Sequence, residues 1–300
     1  ASIDVLEHTS GKLVLATNGK VDAAINPALA TPSPDEITQS FLAIIPMAAM
    51  PKAKRVAVIG MGSGMTSSVA LLNPRLTRVD TIEIEPKVIE AARFFSPMND
   101  RMFTDERSHL IEADARSYFA AHHATYDIII SEPSNPWVSG VASLFSQEFY
   151  ARMAKHLSPG GILAQRIQLY ELDPALVATI LKALAETFPQ AAVFATNDNN
   201  LVILARRDGP VEPLTADLHQ IPTIHNEMAR HGVHDTAALR LHRVADLAIL
   251  APLMDTYDVP PNSDYYPYLD VHAVKARFLQ KRAKSLVKLS LGPVPVIEIL

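Results

Sequence analysis

Between residues 54 and 206 short apolar runs alternate with stretches of helical periodicity, and few folds accept that alternation. Strands are expected at Arg55–Ile59, Val79–Ile84, His109–Glu112, Tyr126–Ser131 and Ile162–Ile167. Ile128-Ile129-Ile130 is apolar at every position, as a strand covered on both faces must be. Helices are expected after the glycines to about Leu72, from Pro86, from Asp114, over Gln147–His156 and over Pro174–Phe188. Pro86 suits the first helical position, where no N–H is needed. Repeated strand–helix units of this length build a parallel sheet with helices on both faces. Two closing runs, Ala192–Ala195 and Leu201–Ala205, flank Thr196-Asn197-Asp198-Asn199-Asn200 and predict a hairpin with an antiparallel strand at one sheet edge.

The flanks read differently. Leu13–Thr17 and Val21–Ile25 surround Asn18-Gly19-Lys20, and Asn-Gly between apolar runs is a strong hairpin signal because both residues accept positive φ. A loop at residues 31–36 precedes a helix that Asp35 is placed to cap and that Pro46 and Pro51 limit. Residues 207–260 read as helical and residues 260–264 as a loop. The tail carries Lys275, Arg277, Lys281, Arg282, Lys284 and Lys288 without an acid. With Val274, Phe278, Leu279, Leu286 and Val287 it forms either an amphipathic helix on anionic lipid or a solvated helix packed on a partner. Three parts are expected: 1–50, a β-hairpin region and linker helix; 51–207, a nucleoside-binding catalytic domain; and 208–300, a C-terminal helical extension and tail.

Composition excludes several functions. With 300 residues, 48% of them hydrophobic, the chain can bury a large core. A net charge of -5 argues against a nucleic-acid binder held by phosphate attraction. No cysteine is present, so disulfides, thiolate catalysis and Cys-ligated metal sites are absent. His225, His231, His234 and His242 lack a metal-ligand spacing and are expected on helix surfaces; no metal is expected. The longest apolar stretch, Phe41–Met50, contains Pro46 and is far short of the roughly 20 residues a membrane span requires. The chain opens on Ala1 in strand-like sequence, as a processed chain or a piece of a longer one would. A membrane tether supplied by a preceding segment is compatible with that.

Gly60-Met61-Gly62-Ser63-Gly64 follows the first strand of the alternating unit, where open α/β sheets bind ligands. Glycines allow a tight turn and close backbone approach. A dinucleotide fingerprint would need its third glycine at position 65, which is Met65. Without a phosphate-cradling lysine, the loop fits a nucleoside lacking phosphates. Glu83 ends the second strand 23 residues after Gly60, placed to accept both ribose hydroxyls unless it is merely solvated. Asp114 follows the third strand and either meets an adenine amino group, caps a helix, or does both.

The fourth strand ends in Ser131-Glu132-Pro133-Ser134-Asn135-Pro136-Trp137, a turn stiffened by two prolines. Glu132 points into the same cleft. For a sulfonium nucleoside donor and an amine acceptor, a carboxylate in a dry cleft can hold the ammonium, take its proton and aim the lone pair. Trp137 stacks on the nucleoside, faces a cation, or is core. Tyr170 and Glu171 follow the fifth strand and either line an acceptor pocket or pack structurally.

Val56–Gly64, Ile82-Glu83-Ile84-Glu85, Glu112-Ala113-Asp114-Ala115 and Tyr126–Trp137 together resemble the spermidine synthase (polyamine aminopropyltransferase) family, within the class I S-adenosylmethionine-dependent methyltransferase fold. Glu132 to Trp137, Gln168-Leu169-Tyr170-Glu171-Leu172 and Asn262-Ser263-Asp264 are closer to the spermidine-synthase-like domains of bacterial transporter-fused proteins. The resemblance covers roughly residues 10–275. It implies an α/β, Rossmann-like fold with a mostly parallel seven-stranded sheet, an antiparallel edge hairpin, a small N-terminal β-hairpin region and a C-terminal helical extension. It also implies a cytoplasmic transferase of polyamine biosynthesis.

Carried across by position, Gly60, Gly62, Ser63 and Gly64 would line the donor and Glu83 would hold its ribose. Asp114 and Ala115 would read adenine, Gln39 would lie near the sulfur end, and Glu132 would be the catalytic base. Asn135, Trp137, Tyr170 and Glu171 would form the acceptor pocket. The chain departs from the family in having Ser63 for a loop aspartate, Glu132 for the catalytic aspartate, Asn135 for a second aspartate and Thr38 for a tyrosine. These changes make the acceptor pocket less acidic than a diamine dication needs, and Ser63 removes a repulsion against a carboxylated donor. The implied co-substrate is decarboxylated S-adenosylmethionine or S-adenosylmethionine, the partner a small amine, and the assembly a homodimer. The leading function is aminopropyl transfer; methyl transfer and a non-catalytic nucleoside-sensing domain are the alternatives.

Overall fold

The computed structural model describes residues 2–27, 31–215, 217–284 and 286. Three antiparallel strands, β1 (Ile3–Glu7), β2 (Leu13–Thr17) and β3 (Lys20–Ile25), form a small N-terminal sheet in the order β1-β2-β3. Asn18 and Gly19 turn β2 into β3 with φ of 51° and 74°, as an Asn-Gly hairpin requires.

Helix α1 (Pro34–Ala49) leads from this sheet to the main one. Its cap is Ser33, not Asp35: Ser33 Oγ accepts from Glu36 N–H, and the Glu36 carboxylate accepts from Ser33 N–H at 2.7 Å. Pro46 does not end the helix, which runs three residues further. Residues Phe41 to Ile45, and Ala48, are fully buried, and burial worth roughly 1.5–3 kcal/mol per large apolar side chain outweighs the one lost backbone bond.

The main sheet comprises β4 (Arg55–Ile59), β5 (Arg78–Glu83), β6 (Ser108–Glu112), β7 (Tyr126–Ser131), β8 (Leu157–Gln168), β9 (Gln190–Asn197), β10 (Asn200–Arg206) and β11 (Arg243–Asp246). Their order is β11-β9-β10-β8-β7-β4-β5-β6. The five strands from β8 to β6 are parallel, while β10, β9 and β11 pair antiparallel. An eighth strand thus joins the seven expected. β11 lies within the stretch read as helical, because the open edge of β9 recruits it through Arg243, Ala245 and Asp246.

Helices cover both faces, giving two apolar cores. One core holds α1, α2 (Met65–Ala70), α3 (Pro86–Ala92), α4 (Asp100–Thr104) and α8 (Pro222–Arg230). The other holds α5 (Ala115–Ala121), α6 (Gln147–His156), α7 (Pro174–Ala185), α10 (Leu247–Asp255) and α11 (Tyr268–Phe278). A short α9 (Thr236–Arg240) leads into β11. The chain runs outward through β4, β5 and β6, then returns to start β7 beside β4. That reversal opens the crevice in which such sheets bind ligands.

Two histidines expected on helix surfaces are instead tied into the packing. The His231 side chain is fully buried, bonded to Glu227 and Ser40 and edge-on to Phe41. His242 Nδ1 donates to Ala195 O at 2.8 Å, and its ring also meets Phe41. Val274, Phe278 and Leu279 are exposed near the end of α11, and Lys288 and Val287 of the tail lie outside the described residues. Among the described residues no helix is long and apolar enough to cross a membrane.

Candidate active site at the strand ends

The crevice between β4 and β7 holds a cleft of about 340 Å³ lined by the carboxyl ends of four parallel strands. After β4 the chain turns through Gly60 and Gly64, with φ of 85° and 81°. A Cβ on Gly60 would stand 2.4 Å from Glu132 O, so only glycine lets the loop and the β7 tip meet. Gly60 N–H and Glu132 N–H donate to Ile82 O and Ile59 O, which knits three strand ends together.

Glu83, 8% exposed at the end of β5, pins this loop. One carboxylate oxygen accepts from Met61 N–H and the other from Glu85 N–H, each at 2.9 Å. Burial pushes its pKa up, and those backbone bonds pull against the rise. The carboxylate also lines the cleft, and its oxygens have further acceptor capacity beyond these bonds. At the end of β6, Asp114 caps α5 by accepting from Ser117 N–H at 2.8 Å, and it lines the cleft together with Ala115. The cap and the cleft position coexist.

Glu132, at the tip of β7, lines the same cleft. Its Oε2 accepts from Thr66 Oγ1 at 2.6 Å. Burial raises its pKa to about 7; the Arg166 charge and the Thr66 bond oppose the rise, and Asp35 adds to it. Gln39, presented by α1, also reaches the cleft and accepts from Ser63 Oγ. Ser63 itself is fully buried behind the loop, and Gly64 serves as the cap residue of α2, so Gly60 and Gly62 face the cleft while these two support it.

A second cavity of about 420 Å³ adjoins this one and shares Asp22 with it. Tyr170 and Glu171 line it. Asn135 is buried and accepts from Tyr170 Oη at 3.2 Å. Trp137 is 8% exposed, with Lys20 Nζ 3.5 Å from its ring centre and the Arg277 guanidinium 5.6 Å away, so its face meets cations. The β2–β3 hairpin roofs both cavities. Asp22 accepts from Ser134 Oγ at 2.8 Å, and Lys20 pairs with Glu171.

Sequence reasoning missed Lys20, Asp22, Asp35, Thr66 and Arg166. Arg166 carried a signal: it is a cation near the carboxyl end of a strand that begins its core run with Ile162-Leu163-Ala164, the kind of position that had marked Glu83 and Glu132. It lines the cleft, and its Nε donates to Asn200 Oδ1 at 3.1 Å. Burial works against its charge, but Tyr170, Glu132 and Asp35 more than hold it protonated. Lys20, Asp22 and Asp35 lie in segments distant along the chain and meet the site only after folding. Among the described residues no cluster of three or more His, Asp or Glu side chains is placed to hold a metal.

A doubly covered, mostly parallel sheet with a glycine loop, a pinned acid and a second carboxylate at the switch point defines a Rossmann-like fold of the methyltransferase type with a cleft at its strand ends. A family model described as the spermine/spermidine synthase domain matches residues 35–197, more than half of the chain, and the protein belongs to that family. It is 25% identical over 202 residues to a polyamine aminopropyltransferase of Bacillus mycoides, covering 65% of this chain and 73% of that one. It is 29% identical over 152 residues to putrescine N-methyltransferase 3 of Nicotiana tabacum, half of this chain but only 40% of that protein's length. The solved spermidine synthase of Thermotoga maritima shares the fold, with a TM-score of 0.56 at 24% identity over 69% of this chain and 70% of that one. These relatives are transferases by name.

Proposed function

We propose that this chain transfers an aminopropyl group from decarboxylated S-adenosylmethionine to a small amine, with Glu132 as the base. The observation that carries this is a half-buried carboxylate, pushed to about 7 by desolvation, on the same cleft as Gly60, Gly62, Glu83 and Asp114. Glu83 would hold the ribose, Asp114 and Ala115 would face the adenine, and Gln39 would stand near the sulfur. The acceptor nitrogen attacks the propyl carbon bound to sulfur. The C–S bond breaks, its electron pair goes to sulfur, and a neutral thioether nucleoside leaves. One proton passes from the nitrogen to Glu132.

The proton balance is set by the surroundings. A free alkylammonium, with a pKa of roughly 10.4, does not attack. In the neighbouring cavity burial pushes the Lys20 ammonium down from its ordinary value, with Glu171 pulling the other way, and an acceptor ammonium here meets the same desolvation. Glu132 raised and an amine lowered bring donor and acceptor of the proton toward each other, the condition for general base catalysis. Loss of the sulfonium charge in the transition state adds a further advantage once the bound substrates displace water from the cleft. Alignment of nitrogen, carbon and sulfur supplies much of the remainder.

Methyl transfer from S-adenosylmethionine is a second reading, favoured by one observation. Ser63 is neutral and buried against Gln39, so no loop carboxylate would repel a carboxylated donor. Calorimetric titration with both donors separates the two. Aminopropyl transfer requires tighter binding of the decarboxylated donor, and a clear preference for S-adenosylmethionine would sink it.

A further inference from the structure

Lys20 opens β3, and its side chain crosses to the opposite wall of the second cavity. Its Nζ sits 3.5 Å from the centre of the Trp137 ring and 5.5 Å from that of Tyr170, and it pairs with the Glu171 carboxylate. An aromatic face beside a carboxylate is what an alkylammonium needs once it leaves water. Glu171 holds its place from a left-handed backbone, with φ of 56°, which a glutamate seldom adopts. Outliers of that kind persist where the surroundings over-determine them, and they cluster at functional sites. Lysine's flexible four-carbon stem ending in a primary ammonium is, chemically, one end of a diamine. The chain's own residue therefore fills the seat that a diamine's second nitrogen would take.

The charges around the acceptor agree. Asp22, Asp35 and Glu171 line the second cavity with Lys20 and Arg277. Glu132 and Arg166 line the adjoining cleft. In the second cavity three carboxylates face two cations, one excess negative charge, the complement of a single ammonium and not of two. Resting on the amine-transferase reading of the cleft, we infer that Lys20 is a specificity-determining residue that restricts the acceptor to amines bearing one positive charge. The reactive nitrogen lies at Glu132, and the far end of the acceptor is uncharged or anionic where it approaches Lys20 and Arg277.

The test titrates butylamine and 1,4-diaminobutane into the full chain saturated with 5′-methylthioadenosine. The wild type binds butylamine at least as tightly as the diamine. Lys20→Ala vacates the seat and tightens the diamine about tenfold, within the range of a desolvated cation–aromatic contact, while butylamine changes far less. Lys20→Arg keeps a cation over Trp137 and behaves as the wild type. Lys20→Met retains the apolar stem, so a gain for the diamine in Lys20→Met as well separates loss of charge from loosening of the hairpin. A wild type that already prefers the diamine overturns the inference, as does a Lys20→Ala variant that moves both amines together or neither, or an absence of amine binding in every form. If 5′-methylthioadenosine does not bind, the proposed function fails instead, and the same titrations on the free protein still decide whether the seat is Lys20's.

Discussion

The two ends of the cleft are built by different means. The end proposed to hold the nucleoside is made by backbone. Gly60 admits the β7 tip at a distance no side chain allows, and Glu83 is fixed by two N–H groups within a few residues of the strands it joins. The acceptor end is made by charged side chains from the N-terminal hairpin, α1, β7, β8, the segment after it and α11, converging from across the chain. The first kind of site changes little when one surface side chain is exchanged. The second is retuned by single substitutions, because each charge there is held by neighbours from other elements. A shared donor and a variable acceptor are what that division of construction permits.

Four changes would break or sharpen the contrast. The largest effect is expected from Glu132→Gln, which keeps the shape of the β7 tip and removes the base. Turnover should fall on the order of 10²–10⁴-fold while donor binding stays nearly intact. Equal losses in both would mean that Glu132 belongs to the nucleoside end. Next, Gly60→Ala forces a Cβ to 2.4 Å from Glu132 O at a positive φ and should destabilise the fold by about 2–4 kcal/mol, read as a lowered midpoint in denaturant. An unchanged midpoint would refute the close approach.

Glu83→Gln should weaken nucleoside binding by about 1.5–3 kcal/mol through loss of charge-assisted hydrogen bonds, and leave the preference among amines alone. A changed amine preference would erase the distinction between the ends. The smallest effect is one of pH. Glu132 must be unprotonated to act, so kcat/KM should rise with pH through an inflection near 7. Arg166 holds that value down, so Arg166→Met should move the inflection to higher pH, measured against the wild-type profile. The same raised carboxylate makes the native state bind a proton that the unfolded chain has released. Its stabilising contribution is therefore largest at acidic pH and fades as pH climbs from the ordinary carboxylate range toward 7. Glu132→Gln should flatten that slope.

The sequence was most readable where structure is local. The βα alternation placed the five parallel strands to within a few residues, and Asn18-Gly19 placed the hairpin turn, because periodicity and positive-φ residues act over short range. β11 was not readable: its four residues carry no strand pattern of their own and are recruited by the exposed edge of β9. Pro46 misled for a related reason, since the burial that lets α1 run past it comes from the whole molecule. In the site, Gly60, Glu83 and Glu132 stood at strand ends and announced themselves. Lys20 looked like the tail of a turn, and Asp35 like a helix cap. Their place beside Trp137 and Arg166 follows only from how the hairpin and α1 dock on the sheet.

The most direct test of the central claim is the identity of the nucleoside that leaves. The protein would be incubated with an equimolar mixture of decarboxylated S-adenosylmethionine and S-adenosylmethionine plus a monoamine, and the products resolved by mass spectrometry. The account predicts 5′-methylthioadenosine in step with an aminopropylated amine. S-adenosylhomocysteine with a methylated amine, or both donors recovered intact, would contradict it.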